Sequence, residues 1–123
     1  MSIFAKRACA GEPIVIHGSG EQRRHFIHGE DVAEACRKVI EKDIANTTLI
    51  LAYRRGISVN ELAKIIRASI PSCIIERSEN MAREEDYQGD IDDVQETYEI
   101  LKWEPKIHLE EGVSRLIRHF RGK

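Results

Sequence analysis

Arg23 and Arg24 follow a Gly18-Ser19-Gly20 turn, inside a stretch that reads IVIHGSGEQRRHFIHGEDVAE from Ile14 to Glu34. A guanidinium is permanently charged and offers paired N–H donors in one plane, so it can hold two oxygens of a phosphate at once. The ordinary alternative for such a pair is an exposed or ion-paired arginine. A β-branched run ahead of Gly-x-Gly also has the look of a dinucleotide cradle. That cradle needs a third glycine and a helix opening directly after the turn. Arg23 stands in the third slot, and RRHFIH continues extended. The stretch therefore reads as a plain turn that swings Arg23 and Arg24 onto a segment able to point at a ligand, and not as a cofactor loop.

Other chemistry-bearing patterns give way to simpler readings. Tyr98 and Lys102 have the Tyr-x-x-x-Lys spacing of the catalytic pair of short-chain dehydrogenases, which puts phenol and ammonium on one helical face. Tyr98 also falls between Val94 and Leu101 on an apolar stripe, so core packing explains it. His25 and His28 lie near Glu30 and Asp31, but an odd spacing sends them to opposite sides of a strand. With no His-Glu-x-x-His and no paired Cys-x-x-Cys, no metal site is expected. There is no Gly-x-Ser-x-Gly elbow, and no cysteine has an evident histidine base. No catalytic residue is assigned.

The elements that must position the arginines are read from periodicity and punctuation. Residues 2–10 look like the end of a helix stopped by Gly11, and Ile14–His17 is a short strand. Arg24–His28 is extended. From Glu30 a helix carries Val32, Ala35, Cys36, Val39 and Ile40 as one stripe. Thr47–Tyr53 reads as a strand buried on both faces. Ser58-Val-Asn-Glu61 is a capping box for a helix through Leu62, Ile65 and Ile66, which Pro71 ends. Cys73–Ile75 is a further short strand. Asp90 caps a helix bearing Ile91, Val94, Tyr98 and Leu101, closed near Trp103 and Pro105. A last helix aligns Leu109, Val113, Leu116, Ile117 and Phe120, while Ser78–Gln88, polar and charge-rich, is expected to be the most mobile piece. The fold class is α/β, helix-rich with a few short strands, and a strand like 47–53 is short of partners.

A chain of 123 residues, 41% hydrophobic and 33% charged, reads as one soluble domain. Its formal charge of −2 gives no electrostatic case for nucleic acid. Arg115, Arg118, Arg121 and Lys123 read as a solvated face. Cys9, Cys36 and Cys73 are odd in number and widely spaced, which suits reduced, buried thiols. No apolar run approaches the ~20 residues of a membrane span, and no signal-peptide core opens the chain. The expected location is the cytoplasm.

At GSGEQRRHFIHGEDVAEA the sequence resembles the C-terminal half of extended short-chain dehydrogenases/reductases, the NAD-dependent nucleotide-sugar epimerases and dehydratases. Gly18, Gly20, Gln22, Arg24, Phe26, Ile27, Asp31, Val32 and Ala33 fall in step with that family's Gly-x-Gly-x-Gln-x-Arg-Asp-Phe/Tyr-Ile-x-Val-x-Asp-Val-Ala. ISVNELAKII is similar to its Ser-Val-x-Glu-Leu-Ala helix, AREED to its Arg-x-Gly-Asp, and GDIDDVQETYEILKWEP to its Asp-x-x-x-Ala-x-x-x-Leu-Gly-Trp-x-Pro. LEEGVSRLIRHF matches the closing Glu-Gly-hydrophobic helix. His25 departs from the usual Asp, Gly29 from Val and Glu85 from Gly, and LILAYRRGIS lacks the Asn-x-Gly after the buried strand.

The resemblance implies roles. Arg24 and Arg83 would bind the diphosphate of a nucleotide sugar, Asp86 would accept from the ribose hydroxyls, and Gln22 joins them as a substrate-binding candidate. It also implies that the glycine-rich cofactor loop and the genuine Tyr-x-x-x-Lys belong to a half of the family fold that residues 1–123 do not match. On this reading residues 1–123 are a single, incomplete substrate-binding domain, holding no cofactor of its own and inactive alone. NAD(P) would serve the full-length protein. A rival expectation is a stand-alone binding or oligomerisation module that covers its open sheet edge by self-association.

Overall fold

Two of the described helices start where a side chain accepts one of the first free N–H groups. The computed structural model describes residues 1–79 and 94–122. Helix α1 (Ser2–Cys9) buries Ala5 and Ala8, and Gly11 turns the chain out of it at φ +76. Strand β1 (Ile14–His17) follows, with Ile14 and Ile16 buried and His17 exposed, the alternation of a half-covered strand. The two-residue strand β2 (Arg23–Arg24) leads into α2 (Gly29–Glu41), whose N-cap His28 accepts the Glu30 N–H on Nδ1 at 3.1 Å. Glu30 and Asp31 sit in that helix's first turn, where acids suit the positive end of the helix dipole.

Strand β3 (Ile57–Ser58) runs directly into α3 (Val59–Ser69) through the capping box expected from the sequence. Ser58 Oγ accepts the Glu61 N–H at 3.1 Å, and Glu61 returns the bond to the Ser58 N–H at 3.0 Å. Strand β4 (Ile75–Ser78), helix α4 (Val94–Leu101) and helix α5 (Leu109–Arg121) complete the order. β1 pairs in parallel with β4, Ile14 opposite Ile75, and β2 pairs antiparallel with β3, Arg23 opposite Ser58 and Arg24 opposite Ile57.

Two apolar clusters hold these pieces. In the first, Ala5 and Ala8 of α1, Ile14 and Ile16 of β1, Leu62 and Ile66 of α3, and Val113 and Ile117 of α5 meet. The second gathers Ala35 of α2, Ala52, and Val94, Tyr98, Leu101 and Trp103 in and after α4.

Four expectations change. Thr47–Tyr53 is not a strand: β1 pairs with β4, and among the described residues no neighbour supplies Thr47–Tyr53 with a ladder. It runs as an extended segment on the second cluster, where Ile50 N–H donates to Thr97 Oγ1 at 3.2 Å and the Ala52 carbonyl accepts from Tyr98. Only Ala52 of its apolar run is fully buried, and Ile50 is 38% exposed. The α2 stripe is narrower than expected, because this segment covers Ala35 and Val39 but leaves Cys36 and Ile40 in solvent. Cys36 is therefore not a buried thiol, whereas Cys73 is buried and its thiol is pushed up by desolvation. The strand looked for at Cys73–Ile75 lies further along, at Ile75–Ser78, and Ser78, assigned to the mobile piece, closes it. The rest of that mobile piece, the Asp90 cap and Ile91 lie outside the described residues.

Candidate functional site

The chain leaves β1 through Gly18 and Gly20, both left-handed at φ +66 and +75. A side chain disfavours that backbone, and at Gly20 there is no room either: an added Cβ would stand 2.2 Å from Asn60 Oδ1. The turn is pinned to the start of α3 by Asn60 N–H on the Gly20 carbonyl at 3.0 Å and Val59 N–H on the Gln22 carbonyl at 3.2 Å. What emerges is β2, with Arg23 half-buried and Arg24 exposed. Arg23 Nη1 donates to the Gly56 carbonyl at 3.3 Å, tying that arginine to the loop before β3. Arg24 Nη1 donates to the Arg23 carbonyl at 3.2 Å, and its guanidinium stands at the surface.

Arg24 lies opposite Ile57, and directly paired residues of an antiparallel ribbon share a face. Ile57 joins Phe26, Tyr53, Arg55, His108, Leu109 and Glu110 around a cavity of about 150 Å³. Tyr53 and His108 stack at 6.3 Å between ring centres, and Tyr53 Oη donates to the Ile107 carbonyl at 2.6 Å. Burial, and next the charge of Asp31, push the Tyr53 phenol above its usual range. Asp31 is buried, and its two carboxylate oxygens accept the Lys106 and Ile107 N–H groups, each at 3.0 Å. One α2 side chain thus fixes the loop that carries His108. Sequence reasoning missed this: Asp31 matched a family position, but nothing local tells that its partners are backbone groups some 75 residues away.

Gln22 is buried, donating from Nε2 to the His17 carbonyl at 3.4 Å, while its Oε1 has no hydrogen-bond partner among the described residues. It sits at the foot of the turn rather than at the surface with Arg24. Arg83 and Asp86, the other two candidates, lie outside the described residues.

The competing motifs resolve into packing. Tyr98 is buried, donates from Oη to the Ala52 carbonyl at 2.6 Å, and has Arg54 over its ring at 5.6 Å. Lys102 leaves the helix at φ +48, past its last turn. His28 is a helix cap and His25 rests against Gly56. Among the described residues no three His, Cys, Asp or Glu side chains are grouped to hold a metal ion, and no helix is long and apolar enough to cross a membrane. Arg115 of the basic terminal set pairs with Glu30 at 2.8 Å and Glu111 at 2.6 Å on the surface. A nicotinamide dinucleotide does not fit the Gly18–Gly20 turn. The turn runs on into strand β2 where a dinucleotide cradle runs directly into its helix, and Asn60 packs against Gly20, the glycine such a cradle leaves open to the pyrophosphate.

Residues 1–52 match the model of the NAD dependent epimerase/dehydratase family. The whole chain is similar to UDP-glucuronic acid decarboxylase 1 of Arabidopsis thaliana, 31% identical over 124 residues that span 100% of this chain and 28% of that protein. Among solved structures it resembles the UDP-glucose 4-epimerase of Thermotoga maritima with UDP-glucose, at 30% identity and TM-score 0.81, covering 98% of this chain and 38% of the epimerase. It has the same fold as part of the Thermus thermophilus UDP-glucose 4-epimerase in complex with NAD, TM-score 0.81 at 21% identity, covering 98% of this chain and 39% of that one. The chain spans under a third of the curated relative and under two fifths of the solved ones. These likenesses support kinship with the NAD-dependent epimerases and dehydratases, and the α/β fold of five described helices and a few short strands is that of one portion of them.

Proposed function

We propose that this chain is the nucleotide-sugar-binding, C-terminal portion of an NAD-dependent epimerase, dehydratase or decarboxylase, and that its task is to grip the diphosphate and ribose of a sugar nucleotide. The observation that carries the reading is the likeness, through 98% of this chain, to an epimerase solved with UDP-glucose. Arg24, exposed at the end of the pinned turn, is the first phosphate ligand. Arg83 is the second, Asp86 the acceptor for ribose hydroxyls, and Gln22 completes the set. Two planar guanidinium forks on two linked phosphates fix a diphosphate in position and orientation, which a single charge cannot do. When bound to the full-length protein, NAD would supply the redox chemistry at the sugar, and this portion would hold the substrate still for it. Alone, the chain binds and does not turn over.

Titration calorimetry with UDP tests this directly. Binding by the wild type, weakened roughly 10- to 100-fold in Arg24→Ala, is expected from loss of a charge-assisted phosphate contact. No heat at millimolar UDP, or equal affinity in the variant, would sink the reading.

A further inference from the structure

We propose that Asn60 and Arg77 are positioning residues that clamp the Gly18–Gly20 turn and so aim Arg24, an inference that rests on the phosphate reading of Arg24. Asn60 meets the turn with its backbone and its side chain together. Beyond the backbone bond to Gly20, its Nδ2 donates to the Ser19 carbonyl at 3.0 Å and to Glu21 Oε1 at 2.8 Å. Arg77, on β4, closes the clamp from the other side: Nη2 donates to Asn60 Oδ1 at 3.1 Å and Nη1 to the Ser19 carbonyl at 3.4 Å. The Gly18 N–H reaches the Ser78 carbonyl at 3.2 Å, so the turn is held by β4 at its first residue as well.

The cluster is polar and lies at the surface, and Asn60 is only partly covered. Such a group of bonds adds little to global stability, because solvent competes for each of them. Its geometric effect is larger. Two left-handed glycines make a turn with wide conformational freedom, and freedom there becomes angular spread at Arg24, a few residues on. A bidentate contact tolerates little spread, since both N–H vectors must meet their oxygens together. Gly20 also has a purpose on this view: it is the space into which Asn60 fits.

The test is a double-mutant cycle on UDP affinity with urea stability measured in parallel. Asn60→Ala and Arg77→Ala are each expected to weaken UDP about three- to tenfold with the urea midpoint nearly unchanged. In an Arg24→Ala background neither should cause any further loss, because there is no longer an arginine to aim. Unchanged affinity in the single variants, or losses that simply add to that of Arg24→Ala, overturn the proposal. A ligand-free readout accompanies it. Amide exchange at Val59 and Asn60, whose N–H groups are bonded to the turn carbonyls, should quicken in both variants while α5 is unaffected; unaltered exchange there also overturns it. If Arg24→Ala itself leaves UDP affinity intact, the phosphate reading fails and removes the aiming role with it, and the exchange data separately decide whether the clamp holds the turn.

Discussion

Truncating Asp31 should be the most destabilising single change near the candidate site. Asp31 is 5% exposed, and its carboxylate accepts two backbone N–H groups at 3.0 Å each. Bonds to a charged acceptor contribute about 1.5–3 kcal/mol each, and two that share one carboxylate do not add in full. The loop they hold is partly wet: Lys106 is exposed and Ile107 half-buried, so water can reach the released N–H groups. That places Asp31→Ala near 3 kcal/mol of lost stability, roughly 10–15 °C in Tm for a domain this size. Asp31→Asn keeps the shape and one acceptor but turns an NH2 toward one N–H, so about 2 kcal/mol is expected. Urea unfolding followed by far-ultraviolet dichroism gives both values, and the m-value checks that the change is in stability rather than in the unfolded state. Because the Tyr53 hydroxyl bonds Ile107 in the same loop, the Tyr53 near-ultraviolet signal should weaken in parallel. A loss below about 0.5 kcal/mol in Asp31→Ala would refute the assignment of the 106–107 loop to this one side chain.

Two further outcomes follow from the same geometry. Burial raises both the Tyr53 and Tyr98 phenols above the ordinary 10.0, so the folded chain holds these protons more tightly than the unfolded chain does. The stability this gives is complete below pH 10 and is lost as pH climbs through the folded-state values; the urea midpoint should fall above about pH 10, less steeply in Tyr53→Phe, and an equal alkaline slope in that variant would contradict the assignment. Gly20→Ala must place a Cβ in a left-handed backbone and displace Asn60, costing about 2 kcal/mol in the same urea assay; a loss under about 0.5 kcal/mol would mean the turn adapts freely.

Local signals were the ones that could be read in advance. The Ser58–Glu61 box, the Gly18 and Gly20 turn, the β1 strand and the stripe of α5 each depend on residues within a few positions of one another, and each stands where the pattern puts it. The failures are non-local. Thr47–Tyr53 has the composition of a buried strand, but a strand is made by its neighbour, and composition cannot say that β1 takes β4 instead. Cys36 and Ile40 have the spacing of core residues, yet the segment that would cover them reaches only Ala35 and Val39. Of the candidate ligands, Arg24 stands exposed just past its turn, whereas the burial of Gln22 depends on a packing that its motif does not reveal. Arg83 and Asp86 belong to the undescribed residues.

The extended piece from Arg23 to His28 gives the proposed site a rigid footing in the fold. Phe26 packs against the first apolar cluster and Ile27 against the second, so neighbouring side chains of one stretch lie in different cores. A strand's alternation makes that natural, and it means the backbone between them cannot shift without loosening both clusters. Asp31 reinforces the join, since a helix of the second cluster holds the loop that feeds α5 of the first. Arg24 is thus anchored on its far side by two cores and on its near side by the pinned glycine turn. With its backbone fixed in this way, Arg24 has only its side-chain rotamers left to order on meeting a phosphate, which lowers the cost of the contact proposed for it.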